Sequence, residues 1–193
     1  MSKTQPIKEL EQINALKEYF LERGQFRNYA LIVLGMNTSL RISDILDLRW
    51  KDVYNYRYNK FRKHLIVIEK KTKKKNTIAL NKAIIEALEL LRRKQYQRIL
   101  PDQYIFVSQK GENKPITRQC AYTIIKRAGK KLGFEETIAC HTLRKTFGYQ
   151  AWKKGVPPAL LMSIYNHSSY EITKRYLGIS QDERDQVFMK VIL

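Results

Sequence analysis

Two of the chain's three histidines, His141 and His167, fall in one short region that also holds Arg144 and Tyr176. His141 and Arg144 are three residues apart, a spacing that places both on one face of a helix, where an imidazole and a guanidinium can reach a single phosphate together. His167 ends a predicted helix just before the Ser168-Ser169 break, and Tyr176 follows one short helix later. Far upstream, Arg41 stands at the junction of two predicted helices, and the lysine-rich run Lys70 to Lys75 gathers ammonium groups in one turn.

These residues need a scaffold, and the sequence spells out a mainly helical one. Ile7, Leu10, Ile13, Leu16 and Phe20 recur at helical spacing and predict an amphipathic helix ended by Gly24. A second helix is expected over about 26–36, and a short one near 42–48 after the polar breakers Asn37, Thr38 and Ser39. Two short β-branched runs, 64–69 and 76–80, predict a hairpin with the lysine run as its turn. The aromatic and basic residues of 54–63 alternate, as in an edge strand or a loop that touches DNA. Asn81 caps a further helix, Pro101 and Asp102 precede a short 104–107 segment, and Thr117 opens a basic helix to about Leu132. Three short helices follow, near 141–153, 158–165 and 169–176. The fold class expected is mainly α with a small antiparallel β-sheet, in one domain.

The 193-residue chain carries 37 Lys plus Arg against 18 Asp plus Glu, a net charge of +19. That surplus suits a polyanion, and nucleic acid is the expected partner rather than a membrane surface. The longest apolar stretch, 29–35, is far shorter than a spanning helix, and the N-terminus has no signal-like core, so the chain is expected in the cytoplasm, at the nucleoid. Cys120 and Cys140 belong to no CxxC pair, which argues against a zinc site or a disulfide framework, and Cys140 reads as a small core residue. Clustered carboxylates of the kind that hold catalytic ions do not stand out, and no cofactor is expected.

The ordered set Arg41-Ile-Ser-Asp44 with Leu46, Leu48 and Trp50, then Lys71-Thr72, His141-Thr-Leu-Arg144, Asn166-His167-Ser-Ser169 and Tyr176 resembles the tyrosine recombinase, or phage integrase, pattern. Each motif alone is weak, but together they stand in order from about residue 7 to residue 180. Two departures are visible. Asp44 stands where the family more often has Glu, and Tyr165-Asn166 where it more often has Leu-Gly.

The resemblance implies a site-specific recombinase catalytic domain that cuts and rejoins double-stranded DNA through a 3′-phosphotyrosine. Attack at phosphorus builds charge on the non-bridging oxygens, which the planar, always-charged forks of Arg41 and Arg144 suit. A phenol is a poor nucleophile at neutral pH, so Tyr176 needs a base and an electropositive site. By resemblance, His141 moves that proton, Lys71 protonates the leaving 5′-oxygen, and His167 adds a hydrogen bond to the phosphate. Lys70, Lys73, Lys74 and Lys75 compete with Lys71 for that role. Together with Arg118 and Lys126 they are the expected DNA contacts. No metal is required, because the phosphotyrosine keeps the energy of the broken bond.

Each residue also admits a structural role: Arg41 could pair with Asp44 or Asp47, Lys71 could be a solvated turn lysine, and the histidines and Tyr176 could be packed side chains. Two other functions share the features, a DNA-binding regulator that reads the groove with the 117–132 helix, and a relaxing enzyme of the type IB topoisomerase kind. The catalytic domain is expected over 1–180, without the family's helical DNA-binding domain before it. The 181–193 tail carries Val187, Phe188, Val191 and Ile192 as an apolar stripe, which docks either on its own domain or on a neighbouring subunit. The family implies self-association on DNA, as a synaptic tetramer.

Overall fold

The computed structural model describes residues 4–96, 98–109 and 111–191. Ten helices and two small antiparallel ribbons make up the described chain. In order they are α1 (Leu10–Leu21), α2 (Phe26–Asn37), α3 (Ile42–Leu46), α4 (Trp50–Val53), β1 (Tyr54–Asn55), β2 (Lys60–Phe61), β3 (His64–Ile68) and β4 (Lys75–Ala79). There follow α5 (Lys82–Gln95), α6 (Arg118–Lys131), α7 (Cys140–Lys153), α8 (Pro158–Tyr165), α9 (Tyr170–Leu177) and α10 (Ser180–Lys190).

Helix α2 is buried along nearly its whole length and packs against α1, α5 and α7, which makes it the central post of the domain. Its sequence, apolar on every side from Ala30 to Leu34, fits that position. Asn81 and Thr117 cap α5 and α6 as their sequences require, each side chain accepting from a backbone N–H three residues on. The predicted hairpin forms with Leu65 opposite Ile78 and Ile68 opposite Lys75.

Two expectations need correction. The 54–63 segment is no through-strand: β1 and β2 form a ribbon of their own, with Tyr54 opposite Phe61, closed by the turn Tyr56–Asn59 in which Asn59 takes a left-handed φ. The 104–107 segment carries two isolated bridges, Arg49 with Tyr104 and Val107 with Pro115. The first helix starts at Leu10, and residues 4–9 form a strap instead. In that strap Ile7 is buried, its N–H donates to Thr146 Oγ1 (2.9 Å), and Thr4 O accepts from the Lys145 ammonium (2.7 Å).

The buried residues form three clusters. The largest joins α2 to α6 with the ribbons, the second packs Leu16 and Phe20 of α1 against Leu143 and Ile138, and a smaller one gathers Tyr149, Leu161, Tyr165, Leu177 and Ile179. On α10 the apolar residues Val187, Phe188 and Met189 are exposed, as is Val191 just beyond it, while Ile192 lies outside the described residues. Among the described residues no helix is long and apolar enough to cross a membrane.

Candidate active site

Helix α7 brings His141 and Arg144 to one face, as the spacing requires. The Arg144 guanidinium is buried, lies 4.9 Å above the Tyr165 ring, and has an Nη1 with no hydrogen-bond partner. A buried donor left without a partner is costly, so its place in a native fold calls for a ligand that satisfies it. The geometry of a guanidinium fork suits an oxyanion.

The turn between α8 and α9 places the second histidine. Asn166 closes α8 in the left-handed region, at φ 56°, where glycine is the usual choice and asparagine the next best. The Tyr-Asn departure from the family pattern therefore keeps the backbone shape of the turn. Tyr165 is buried and donates its hydroxyl hydrogen to the Arg144 carbonyl (2.7 Å), which ties the turn to α7. His167 Nδ1 is 3.0 Å from Thr173 Oγ1, fixing the ring and leaving Nε2 unengaged. Tyr176 on α9 meets the His167 ring edge-on at 5.3 Å and the Tyr165 ring at 5.4 Å, with the Lys145 ammonium 5.2 Å from its own ring centre.

Arg41 precedes α3 and ion-pairs through Nη1 with the buried carboxylate of Glu69, not with Asp44 or Asp47. Asp44 is buried instead beneath the hairpin turn, where its Oδ1 accepts from the Lys70 N–H (3.0 Å), and Asp47 takes the Lys70 ammonium (3.0 Å). Among the hairpin lysines, Lys74 reaches Asn166 Oδ1 (3.2 Å), Lys73 adopts a left-handed φ of 58°, and Lys75 sits in β4. Lys71 is exposed in the turn, and among the described residues no hydrogen bond or ion pair holds its side chain.

Electrostatics link five of the six candidate residues. Solvent reaches His141, yet desolvation first, then the charges of Arg144, Arg118, Lys145 and Arg41, hold its pKa below 6.5. His167 is lowered by the same kind of sum, burial and then Arg144 and Arg41. Burial raises the Tyr176 phenol above its ordinary 10, while the Arg144 charge, an Arg144 hydrogen bond and the Arg41 charge oppose the rise. Both histidines are thus neutral at neutral pH, and the Tyr176 phenol lies in the field of the Arg144 and Arg41 guanidinium groups. Lys71 joins this set only through the turn that carries it. Cys140 is inert as a nucleophile, since burial pushes its thiol up to about 11.

Four residues near the site were not assigned there from sequence. Glu69 and Tyr165 are the hidden supports of Arg41 and Arg144, and Lys145 adds a cation over Tyr176. Arg118, expected only as a DNA contact, acts electrostatically on His141 from the start of α6. The 1.5 Å rise of a helix puts Lys126 about 12 Å further along, with its ammonium 5.5 Å from the Tyr122 ring centre.

The phage integrase family model matches residues 6–183. The chain is 42% identical over 181 residues to the probable integrase/recombinase YoeC of Bacillus subtilis, covering 92% of this chain and 91% of that protein. It is 27% identical to the tyrosine recombinase XerC of Leptospira interrogans, covering 98% of this chain and 57% of XerC, so it spans little more than half of that relative. Among solved structures, the XerA recombinase superposes with a TM-score of 0.76 at 19% identity, over 96% of this chain and 65% of XerA. The XerH recombinase bound to its difH substrate after cleavage gives 0.70 at 18%, over 98% of this chain and 54% of XerH. With the order of the motifs, the match over nearly the whole chain and the shared catalytic-domain fold all in agreement, the chain belongs to the phage integrase family, the tyrosine recombinases that carry out site-specific DNA recombination.

Proposed function

We propose that this domain cuts and rejoins DNA by transesterification at phosphorus, with Tyr176 as the nucleophile. The Tyr176 oxygen bonds to the scissile phosphorus as the bond to the 5′-oxygen breaks, leaving a 3′-phosphotyrosine. The phenol proton passes to His141, whose lowered pKa keeps it neutral and able to accept. Arg41 and Arg144 hold the non-bridging oxygens, His167 adds a hydrogen bond, and Lys71 delivers the proton to the departing 5′-oxygen. A free 5′-hydroxyl from another strand reverses the step, and because the phosphotyrosine retains the bond energy, no metal is needed.

The observation that carries this reading is the buried Arg144, whose Nη1 has no hydrogen-bond partner among the described residues and whose charge acts on the Tyr176 phenol. An anion placed there would satisfy the arginine and face the nucleophile at once. The +19 charge supports duplex DNA as the partner and the nucleoid as the place of action. The exposed Val187, Phe188 and Met189 of α10 support self-association on DNA, with the tail covered by a neighbouring subunit.

Covalent trapping tests the proposal. The protein is incubated, with EDTA present, with a pool of nicked duplexes of randomised core sequence, and SDS-resistant adducts are collected. The expected result is an adduct lost in Tyr176→Phe and kept in Tyr170→Phe, whose hydroxyl is engaged by Glu183 at 2.5 Å. Binding without an adduct would instead make the chain a DNA-binding regulator.

A further inference from the structure

Glu69 directly follows β3 at the entrance to the lysine turn, and its side chain is fully buried. A buried carboxylate is expensive unless each oxygen is engaged. Here Oε2 accepts from Arg41 Nη1 and from Thr72 Oγ1 (3.0 Å), and Oε1 accepts from Asn76 Nδ2 (3.2 Å). The backbone of the same residue braces the turn: its N–H donates to Lys74 O (3.0 Å) and its carbonyl accepts from the Lys73 N–H (2.8 Å). One residue thus grips Arg41 from one side and both ends of the turn bearing Lys71 from the other. Only Nη1 of Arg41 is used, so Nε and Nη2 remain for a phosphate.

Arg41 and Lys71 serve opposite ends of the same displacement in the function proposed above, on which this inference rests: one meets charge on the non-bridging oxygens, the other meets the leaving oxygen. Their sequence separation means that nothing local holds them in register. We propose that Glu69 is a positioning residue that sets Arg41 and the Lys71 turn jointly for attack on the scissile phosphate. It touches no reacting atom and acts through these two. A purely structural plug at this position would need no charge, and a leucine would fill the space without the cost of a buried carboxylate.

The test uses the full chain and a duplex recovered by covalent capture, made with three scissile groups. The first is an ordinary phosphate. The second is a methylphosphonate, which removes the charge that Arg41 meets. The third is a 5′-bridging phosphorothiolate, whose sulfur leaves without the proton that Lys71 gives. Glu69→Gln should slow single-turnover cleavage of the ordinary phosphate about 100-fold relative to wild type, the scale of a reacting group misplaced by about an ångström. On each altered substrate the deficit should shrink to about 10-fold, with DNA affinity changed less than about twofold. Thr72→Val cuts only the turn branch and keeps the side-chain shape. Its deficit, about 10-fold, should be relieved by the phosphorothiolate and not by the methylphosphonate, and this variant decides the matter if Glu69→Gln does not fold. Equal deficits on all three substrates, or Thr72→Val at the wild-type rate, would overturn the positioning role while leaving the recombinase reading intact. Absence of any wild-type adduct would remove both.

Discussion

Gly148 sits on α7, one turn after Arg144, at the point where α7 meets the turn and helix that carry His167 and Tyr176. A methyl group built there would lie 2.5 Å from the Tyr165 hydroxyl oxygen and closer still to Leu177 Cδ2. Ordinary contact distances are about 3.5–4.0 Å, so α9 or Tyr165 must retreat by about 1 Å. Alanine in a helix interior is favoured over glycine by about 1 kcal/mol, whereas overpacking a core costs about 1–3 kcal/mol. The two largely offset, and Gly148→Ala should lose no more than about 2 kcal/mol of stability. A domain of ordinary stability, about 5–15 kcal/mol, stays folded after that loss. Catalysis has no such cushion, because Leu177 neighbours Tyr176 and Tyr165 anchors the Arg144 carbonyl. A nucleophile displaced by about 1 Å should cost about 100-fold in rate. Single-turnover trapping on a captured nicked duplex gives the rate, and urea unfolding gives the stability. Adding Tyr165→Phe removes the hydroxyl clash but leaves those with Tyr165 Cζ and Leu177 and breaks the bond to the Arg144 carbonyl, so the double variant should not recover the rate. Gly148→Ala cleaving at the wild-type rate with a folded midpoint unchanged would refute the claim that this seam sets the position of Tyr176.

Arg144→Lys keeps the charge but loses the planar fork, and should lower the cleavage rate about 100-fold or more while duplex affinity, measured by anisotropy, changes little. Because the His141 pKa is lowered below 6.5, its neutral form persists as pH falls. The wild-type cleavage rate should therefore hold from about pH 8 down to that value and fall about tenfold per unit only well beneath it. A half-maximal rate at or above about pH 7 would contradict the direction of the shift. Lys71→Ala should slow cleavage of an ordinary phosphate about 100-fold and a 5′-phosphorothiolate hardly at all, whereas Lys74→Ala should affect both alike. The reverse pattern would move the proton donor to Lys74.

What the sequence revealed and what it concealed follow from how local each feature is. His141 and Arg144 share a helix face by spacing alone, and Asn81 and Thr117 are recognisable caps because a cap acts within three residues. The hairpin was legible because its β-branched runs pair with each other across a short turn. The β1–β2 ribbon was not foreseen, since alternation over ten residues does not show where a chain reverses. Glu69 was invisible for a different reason: its partner Arg41 lies 28 residues away, and nothing local marks a glutamate at a strand end as buried. Tyr165 drew notice only as a departure from the family pattern, and the structure shows the departure to be consistent, with Asn166 supplying the left-handed turn and Tyr165 a bond to α7. Lys71 could be singled out by resemblance, and the structure adds that its neighbours Lys70 and Lys74 are engaged elsewhere while it is not.

The division of the buried residues into separate clusters bears on how such a chain can change over generations. Arg41, Glu69 and the lysine turn are built around the largest cluster, while Tyr176 rides on the small one of Tyr149, Leu161, Tyr165, Leu177 and Ile179. Selection can therefore act on the two parts with some independence. Drift confined to the small cluster would erase the nucleophile yet spare most of the basic surface, converting a cutting enzyme into a protein that only occupies its site. Drift in the opposite direction would retune which DNA is held without touching the phenol.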